Sequence, residues 1–548
     1  MAEKLAATAG DVTRISKRAL SRRLGAGTPI DSPTGVEAKG DASARDAPKR
    51  QKKKRVAVLG SGWAAHALMK VADTDVLDVI VVSPRNYFLF TPMLPSACVG
   101  TVEFRSLVET VKVSNPLVQY VEAEVVAIDR ARKVLTCVAP KDPYADPATS
   151  TCMPSSSADE DDASNLEFSD DDPALQGRDA FEVSYDVAVV AVGERPATFG
   201  VKGVRQNCVF LKEIGDAAAL RRRIVQCFEM ASIPGATDKE IADALSFVVV
   251  GGGATGVEFA GTLADFVRSD LAARYPGVAD KATVTLLQSQ ATVLTQFSAG
   301  LQGAAISALE GAGVSVRLSV RVSEVKTDCA VIKNSAGQVE EIPFGMCVWS
   351  AGLDSRPLTE RLVREAGDTQ GRFQKPRGSR KLAVDPWLRV VGAEDLMALG
   401  DCSSLYGAPL PATAQVAAQQ GAYAARLLND SAFLGVGGDL ARPPAGAPAP
   451  WQSLLPGGSG GDGQRLGAPL GPFHFLSLGL LAYVGDDKAL TQFELGKSQR
   501  LKYEASGRFA FLLWKSVYVT KQVSFRNRVL ILFDWMKTRV FGRDTSIF

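Results

Sequence analysis

The sequence predicts an α/β fold with two Rossmann-like dinucleotide-binding domains and amphipathic helices at the C-terminus. Three observations predict it. A strand–turn–helix signature opens at residues 55–68, a second one opens at 248–263, and an aspartate follows a buried strand directly at 396–402. One glycine turn alone is weak, because such turns are common. Two of them, roughly 190 residues apart and each between an apolar run and a helix, suggest two dinucleotides in one chain.

The first signature is "RVAVLGSGWAAHAL". Val56, Ala57, Val58 and Leu59 form a short apolar run of buried-strand type, and Gly60-Ser61-Gly62-Trp63-Ala64-Ala65 fits G-x-G-x-x-G/A. A helix to about Val71 and a strand "VIVVS" (79–83) complete a βαβ unit. The glycines permit a tight turn and let backbone amides approach a pyrophosphate, while the helix N-terminus supplies positive potential. "DVAVVAVGERP" (186–196) reads as another buried strand, ending in Gly193. The second unit begins with "VVVGGGATGVEFAGTL", whose turn is Gly251-Gly252-Gly253-Ala254-Thr255-Gly256, and "ATVTLLQ" (282–288) answers it. "MCVWSAG" (346–352) is a strand ending in Gly352, and "LMALGDC" (396–402) places Gly400 and Asp401 after the next. In flavin enzymes with two such domains, an aspartate so placed meets the ribityl chain of FAD.

These elements predict an FAD domain over 55–240, an NAD(P)H domain over 241–345, and a return to the FAD domain over 346–434. Around them lie a tail (1–54), an acidic insertion (140–180), a Gly/Pro-rich linker (435–472) and a C-terminal anchoring or dimerisation region (473–548). Residues 1–55 carry 14 Lys/Arg against 6 Asp/Glu. The bland reading is a solvated tail. The sharper one is an organelle transit segment, since "VTRISKRALSRRLG" sets apolar residues near one helical face among basic ones. The acidic "SSSADEDDASNLEFSDDD" lacks the spacing and terminal glutamate of a calcium loop and reads as a solvated insertion.

Composition excludes several classes. The 548 residues carry a net charge of +2, which argues against nucleic acid as a partner. Two histidines, His66 and His474, exclude a His-rich metal site, so no metal is expected. The eight cysteines include no C-x-x-C or other close pair, which argues against a dithiol centre. No apolar run reaches the ~20 residues of a membrane span. The end of the chain, 508–543, instead interleaves eight Lys/Arg and one Asp with aromatic and aliphatic residues. That pattern suits a helix lying in the headgroup plane, or one packed on the protein or on a second copy.

The motifs "VLGSGWAA", "VVSPRNYFLFTPMLPSACVGTVEFRS", "AVGERPATFGVKGV", "FLKEIGDA", "VVVGGGATGVEFAGTL", "VWSAG", "ALGDCS", "LPATAQVAAQQGAYAA" and "LLAYVGDDKAL" together resemble the type II NADH dehydrogenases, single-chain NADH:quinone oxidoreductases. The similarity runs from about 55 to 548 apart from the two insertions, and is greatest to plant and algal members. It implies hydride transfer from NADH to FAD, then two electrons to a membrane quinone, ubiquinone or plastoquinone, without proton pumping. It also implies a homodimer peripheral to the mitochondrial inner membrane, with the chloroplast thylakoid membrane as the alternative.

The resemblance distributes roles over residues. Gly60, Ser61, Gly62, Ala64 and Ala65 would hold the FAD pyrophosphate. Ser83 and Arg85 would take the place of the acidic residue that often holds the FAD ribose. Trp63, Thr91 and Pro92 belong to segments expected along the flavin, with Gly193, Gly352, Gly400 and Asp401 at strand ends around the cofactors. Gly251 to Gly256 would hold NAD(P)H, with Glu258 near the nicotinamide. The bland reading of Glu258 is a first-turn carboxylate favoured by the helix dipole. Gln288 stands where a carboxylate normally binds the NADH ribose, so NADH is expected with NADPH tolerated. Thr413 and Ala414 would lie nearest the isoalloxazine. Gln415 and Gln419, at i and i+4 on one helical face, would border the quinone. Two glutamines so spaced are also common on ordinary helices.

Three other functions remain open at this point. A dithiol reductase would need a cysteine pair where Cys98 stands alone. A sulfide:quinone reductase would need redox cysteines and no complete second turn. A redox-sensing flavoprotein would bind both nucleotides without turning over quinone.

Overall fold

Two parallel sheets carry the two glycine turns. The structure, a computed structural model, describes residues 53–140, 180–365, 380–406, 408–430, 471–495 and 501–546. The expected transit segment, acidic insertion and Gly/Pro-rich linker lie almost entirely outside these residues.

In the first sheet the strand Lys54–Leu59 lies between Leu77–Ser83 and Val187–Val190, parallel to both. Buried from both sides, Val56 to Leu59 need no alternation, hence the continuous apolar run. Gln119–Glu122 extends the sheet at one edge, and Ala393–Ala398 pairs with Val187–Val190 towards the other. The second sheet is parallel throughout, in the order Val209–Phe210, Met346–Trp349, Ser246–Val250, Thr283–Leu287, Val314–Arg317.

This pairing moves both expected boundaries of the second domain. The strand Met346–Trp349 belongs to the second sheet, not to a resumed first domain. So does Val209–Phe210, well before residue 241. The chain returns to the first sheet at Leu382–Val384. Its outward and return passes pair with each other as an antiparallel ribbon, Glu194–Pro196 against Leu353–Ser355. The ends of the acidic stretch also lie together, because Val138 pairs with Ala180 across adjacent antiparallel strands.

The C-terminal region contains a sheet that hydropathy did not signal. Leu480–Gly485, Lys488–Leu495 and Leu501–Gly507 form an antiparallel meander. It packs on the helix Ala254–Phe266, where Gly261 is needed because a Cβ would lie 2.7 Å from the Gly485 amide nitrogen. Two helices follow, Arg508–Lys521 and Phe525–Phe541. The last one is fixed by buried polar contacts. Asn527 Nδ2 donates to Val108 O at 3.1 Å, and Asp534 Oδ2 accepts from Ser106 Oγ at 2.6 Å and from the Glu103 amide at 3.0 Å. Its outward face exposes Phe525, Leu532, Phe533, Met536, Val540 and Phe541. Among the described residues no helix is long and apolar enough to cross a membrane.

Candidate active site

The first turn is built so that only glycine fits its opening position. Gly60 has φ +109°, and a Cβ there would lie 2.5 Å from Ala191 O on the neighbouring strand end. Gly62 caps the helix Trp63–Val71, and no side chain bonds to that helix end. A Cβ on Gly62 or on Gly193 would meet nothing within 4 Å. Free first-turn amides therefore face open space, which suits a phosphate. Ala64 and Ala65 are buried behind them.

The residues expected at the ribose come together. Ser61 Oγ donates to Tyr87 O at 2.9 Å and accepts from Ser83 Oγ at 3.1 Å and Arg85 Nε at 3.4 Å. Arg85 also pairs with Glu213, the N-cap of the helix Ile214–Ala231. Sequence reasoning missed Glu213, because it reaches this corner from a distant element. Trp63 Nε1 donates to Thr91 Oγ1 at 3.1 Å, so two of the expected flavin contacts bond each other. Pro92 lies in the short turn Thr91–Met93 beside them.

The opposite wall comes from the helix Ala414–Asn429, capped by Thr413 Oγ1, which accepts from the Val416 amide. Gly421 lets this helix touch the first turn helix backbone to backbone, since a Cβ there would lie 2.0 Å from Ala64 O. Gln420, also missed, is buried, and its Oε1 accepts from the Gly400 amide at 2.6 Å. It thereby holds the Gly400 turn, at φ +72°, that presents Asp401. Lys212 Nζ stands 3.9 Å from that carboxylate.

The second turn repeats the first. Gly251 has φ +114°, a Cβ there would lie 2.8 Å from Ser350 O, and a Cβ on Gly256 would lie 2.0 Å from Gly251 O. Gly253 caps the helix Ala254–Phe266 without a side-chain bond to that end. Gly253, Ala254 and Thr255 are exposed, and a Cβ on Gly253 would meet nothing within 4 Å. Gln288 helps close this turn. Its Oε1 accepts from the Gly252 amide at 3.2 Å and its Nε2 donates to Thr292 O at 3.1 Å.

Glu258 lies one turn deeper on the same helix and is buried. Its Oε1 accepts from the Tyr483 amide at 3.1 Å, while Trp514 and Tyr518 lie close by. Burial pushes this carboxyl up to about 8. It lies beyond the helix's first turn, unlike the first-turn carboxylate of the bland reading.

Gln415 and Gln419 share a face as expected, but both amides are taken up by backbone. Gln415 exchanges bonds with the Leu478 amide and Gly479 O, at 3.1 and 2.9 Å. Gln419 does the same with the amide and carbonyl of Leu476, at 3.0 and 2.8 Å. The pair clasps the segment 476–479 along the helix. Two cysteines distant in sequence meet in space. Cys208, just before the strand Val209–Phe210, and Cys347, on the neighbouring strand Met346–Trp349, lie 3.4 Å apart, sulfur to sulfur, although 139 positions separate them in sequence. Both are buried, and the neighbouring thiol and burial push Cys347 well up. Among the described residues no group of three or more His, Cys, Asp or Glu could hold a metal.

Comparisons with known proteins follow the same division. Residues 54–421 match the pyridine nucleotide-disulphide oxidoreductase family and residues 478–544 match the NDH2 C-terminal domain. The chain is 34% identical over 509 residues to the internal alternative NAD(P)H-ubiquinone oxidoreductase A1, mitochondrial, of Solanum tuberosum, covering 91% of this chain and 89% of the relative. It is 32% identical over 589 residues to the external B1 enzyme of the same plant, covering 90% of each. Its fold superposes on the NDH2 of Plasmodium falciparum, solved in complex with NADH, with a TM-score of 0.72 at 20% identity, covering 90% of this chain and all of that one. With both family models in register with the two cradles and the terminal unit, the chain belongs to the alternative NAD(P)H-ubiquinone oxidoreductases, the type II NADH dehydrogenase family.

Proposed function

We propose that this chain is a non-pumping NADH:quinone oxidoreductase working through FAD. The observation that carries this reading is the pair of uncapped, open glycine cradles, Gly60–Gly62 and Gly251–Gly253, in one chain. The first would hold FAD, with Ser61, Ser83 and Arg85 on its ribose and Asp401 on its ribityl chain. The second would hold NADH, in line with the NAD(P)H in the names of the related enzymes. Bound FAD supplies the redox chemistry, accepting a hydride equivalent and releasing two electrons to a quinone.

The chain's own residues bind, orient and exclude water. Trp63 and Thr91 fix each other along the flavin. Gln420 sets the Gly400 turn, and Thr413 and Ala414 open the helix beneath the isoalloxazine. Gln415 and Gln419 act by holding the segment 476–479 as a wall of the quinone chamber. Glu258, pushed towards its neutral form by burial, would sit behind the nicotinamide end. Gln288 leaves the NADH ribose without a carboxylate, so NADPH is a slower donor rather than an excluded one.

The exposed apolar face of the terminal helices would rest on a membrane surface, with Arg and Lys flanking it, and supports a homodimer as the second arrangement. The curated relatives are mitochondrial by name, and the inner membrane is the location proposed here. A purified, FAD-loaded sample given NADH and a short-chain ubiquinone should oxidise NADH and reduce quinone in a one-to-one ratio. Flavin bleaching by NADH without quinone turnover would instead identify a redox sensor. Turnover with sulfide but not NADH would identify a sulfide:quinone reductase.

A further inference from the structure

Phe199 combines two unfavourable features. Its φ is +55°, a left-handed backbone that side chains with a Cβ rarely adopt, and 69% of the residue is exposed. Among the described residues it is the one aromatic residue with positive φ. Its ring stands over Gly352, itself at φ +75°, where a Cβ would lie 2.3 Å from the Phe199 Cζ. The missing side chain at Gly352 is what gives the ring its place.

The surrounding backbone is fixed. Ala197 donates to Gly352 O at 3.3 Å, and Trp349 Nε1 donates to Ala197 O at 2.8 Å. The strand end that carries Gly352 also abuts the second cradle, through Ser350 O behind Gly251. A strained backbone kept in a fixed frame points to a role for the ring it carries.

Sheet order says which part of a nucleotide lies there. The cradle follows the central strand Ser246–Val250. Gln288, at the adenosine side, follows the neighbour Thr283–Leu287. Gly352 follows the neighbour on the other side, Met346–Trp349. A dinucleotide lying across the strand ends with its adenosine at Gln288 must place its nicotinamide half towards Gly352 and Phe199.

Resting on the assignment of this domain to NAD(P)H, we infer that Phe199 is a stacking platform for the nicotinamide riboside half of the donor. It is a positioning residue, and its ring is held ready by the strained backbone and by Gly352. Stacking of this kind corresponds to roughly a two- to tenfold change in affinity.

The test is direct binding of NAD⁺ and NADH to the FAD-loaded protein, with thermal melting of the same variants. Phe199→Asn keeps a residue that accepts left-handed backbone but removes the ring. It should weaken binding roughly two- to tenfold, leave the KM for quinone unchanged and leave the Tm equal or higher. Phe199→Tyr should restore binding. Unchanged affinity in Phe199→Asn, with or without a lower Tm, overturns the inference. Wild-type protein that binds no NADH would overturn the assignment of the domain as well, so the two failures are distinguishable.

Discussion

Glu258 makes the protein's stability depend on pH in a calculable way. Its carboxyl ordinarily ionises at 4.5, and burial moves it to about 8. Below pH 4.5 both folded and unfolded chains hold the proton and the group is neutral to stability. Between 4.5 and about 8 the unfolded chain releases the proton and the folded chain keeps it. Stability therefore falls as pH rises through that window, by about 1.4 kcal/mol per pH unit. From pH 6 to pH 8 the loss is about 2 kcal/mol, the slope flattening as the folded carboxyl itself begins to ionise. For a cooperative unit of ~150–250 residues that is a Tm decrease of roughly 4–8 °C. Glu258→Gln keeps an oxygen to accept from the Tyr483 amide but cannot ionise. The assay is the Tm of FAD-loaded wild type and Glu258→Gln at pH 6, 7 and 8 without NADH. Other buried acids, such as Asp265 and Glu194, whose carboxyls burial also raises, are present in both proteins and cancel in the difference. The wild type should lose the calculated amount relative to the variant as pH rises. Parallel profiles would refute the claim that this carboxyl is held protonated by burial.

Gly421→Ala should lose FAD, because its Cβ would drive the helix Ala414–Asn429 off Ala64 O. A cost of about 1–3 kcal/mol and a reduced flavin-to-protein ratio are expected from absorbance and melting. Gln288→Glu should raise the NADH/NADPH ratio of kcat/KM about tenfold through repulsion of the 2′-phosphate. It should also cost stability of about 1 kcal/mol, since the new carboxylate cannot donate to Thr292 O; an unchanged ratio would remove Gln288 from donor selection. Replacing exposed Leu532, Phe533 and Met536 with serine should abolish sedimentation with anionic vesicles while leaving turnover of a short-chain quinone intact. Retained vesicle binding with loss of a dimer would reassign that face to a second copy.

How much of this was legible in the sequence follows from the range of each interaction. Both glycine turns were, because strand, turn and helix are contiguous and the need for positive φ at Gly60 and Gly251 is local. The Ser61, Ser83 and Arg85 corner was also legible, since it lies within one βαβ unit. The shared face of Gln415 and Gln419 followed from helical spacing, yet their partners lie some 60 positions ahead and could not. The same holds for Gln420 on Gly400, for Glu213 on Arg85, and for Cys208 beside Cys347. The misplaced boundary at 346 has a related cause. An apolar run such as "MCVW" suits either parallel sheet equally, and only its pairing with Ser246–Val250 decides. The meander over 480–507 was read as anchoring sequence because its buried residues pack on the helix Ala254–Phe266, a surface the sequence does not display.

That meander and the helices after it are more than a tether for the rest of the chain. Lys70, on the first turn helix, donates to Val523 O between the two terminal helices at 2.5 Å. Arg543 pairs with Asp270 beyond the second turn helix at 2.8 Å. Between these ties runs a chain of aromatic contacts. Trp63 meets Phe90 at 5.2 Å, Phe90 meets Tyr518 at 6.1 Å, Tyr518 meets Trp514 at 4.4 Å, and Trp514 meets Tyr483 at 5.8 Å. Tyr483 is the residue whose amide holds Glu258. The run therefore links the opening residue of the first turn helix to the buried carboxyl of the second. The helix pair that offers an apolar face to the outside therefore carries, on its inner side, the ring contacts that reach Glu258. A unit fixed at so many points places the nucleotide sites at a set height above whatever surface that face rests on. Leu532, Phe533 and Met536 point outward and are exposed, whereas Trp514 is buried against Tyr483, so the outward face can be altered without disturbing the packing over Glu258.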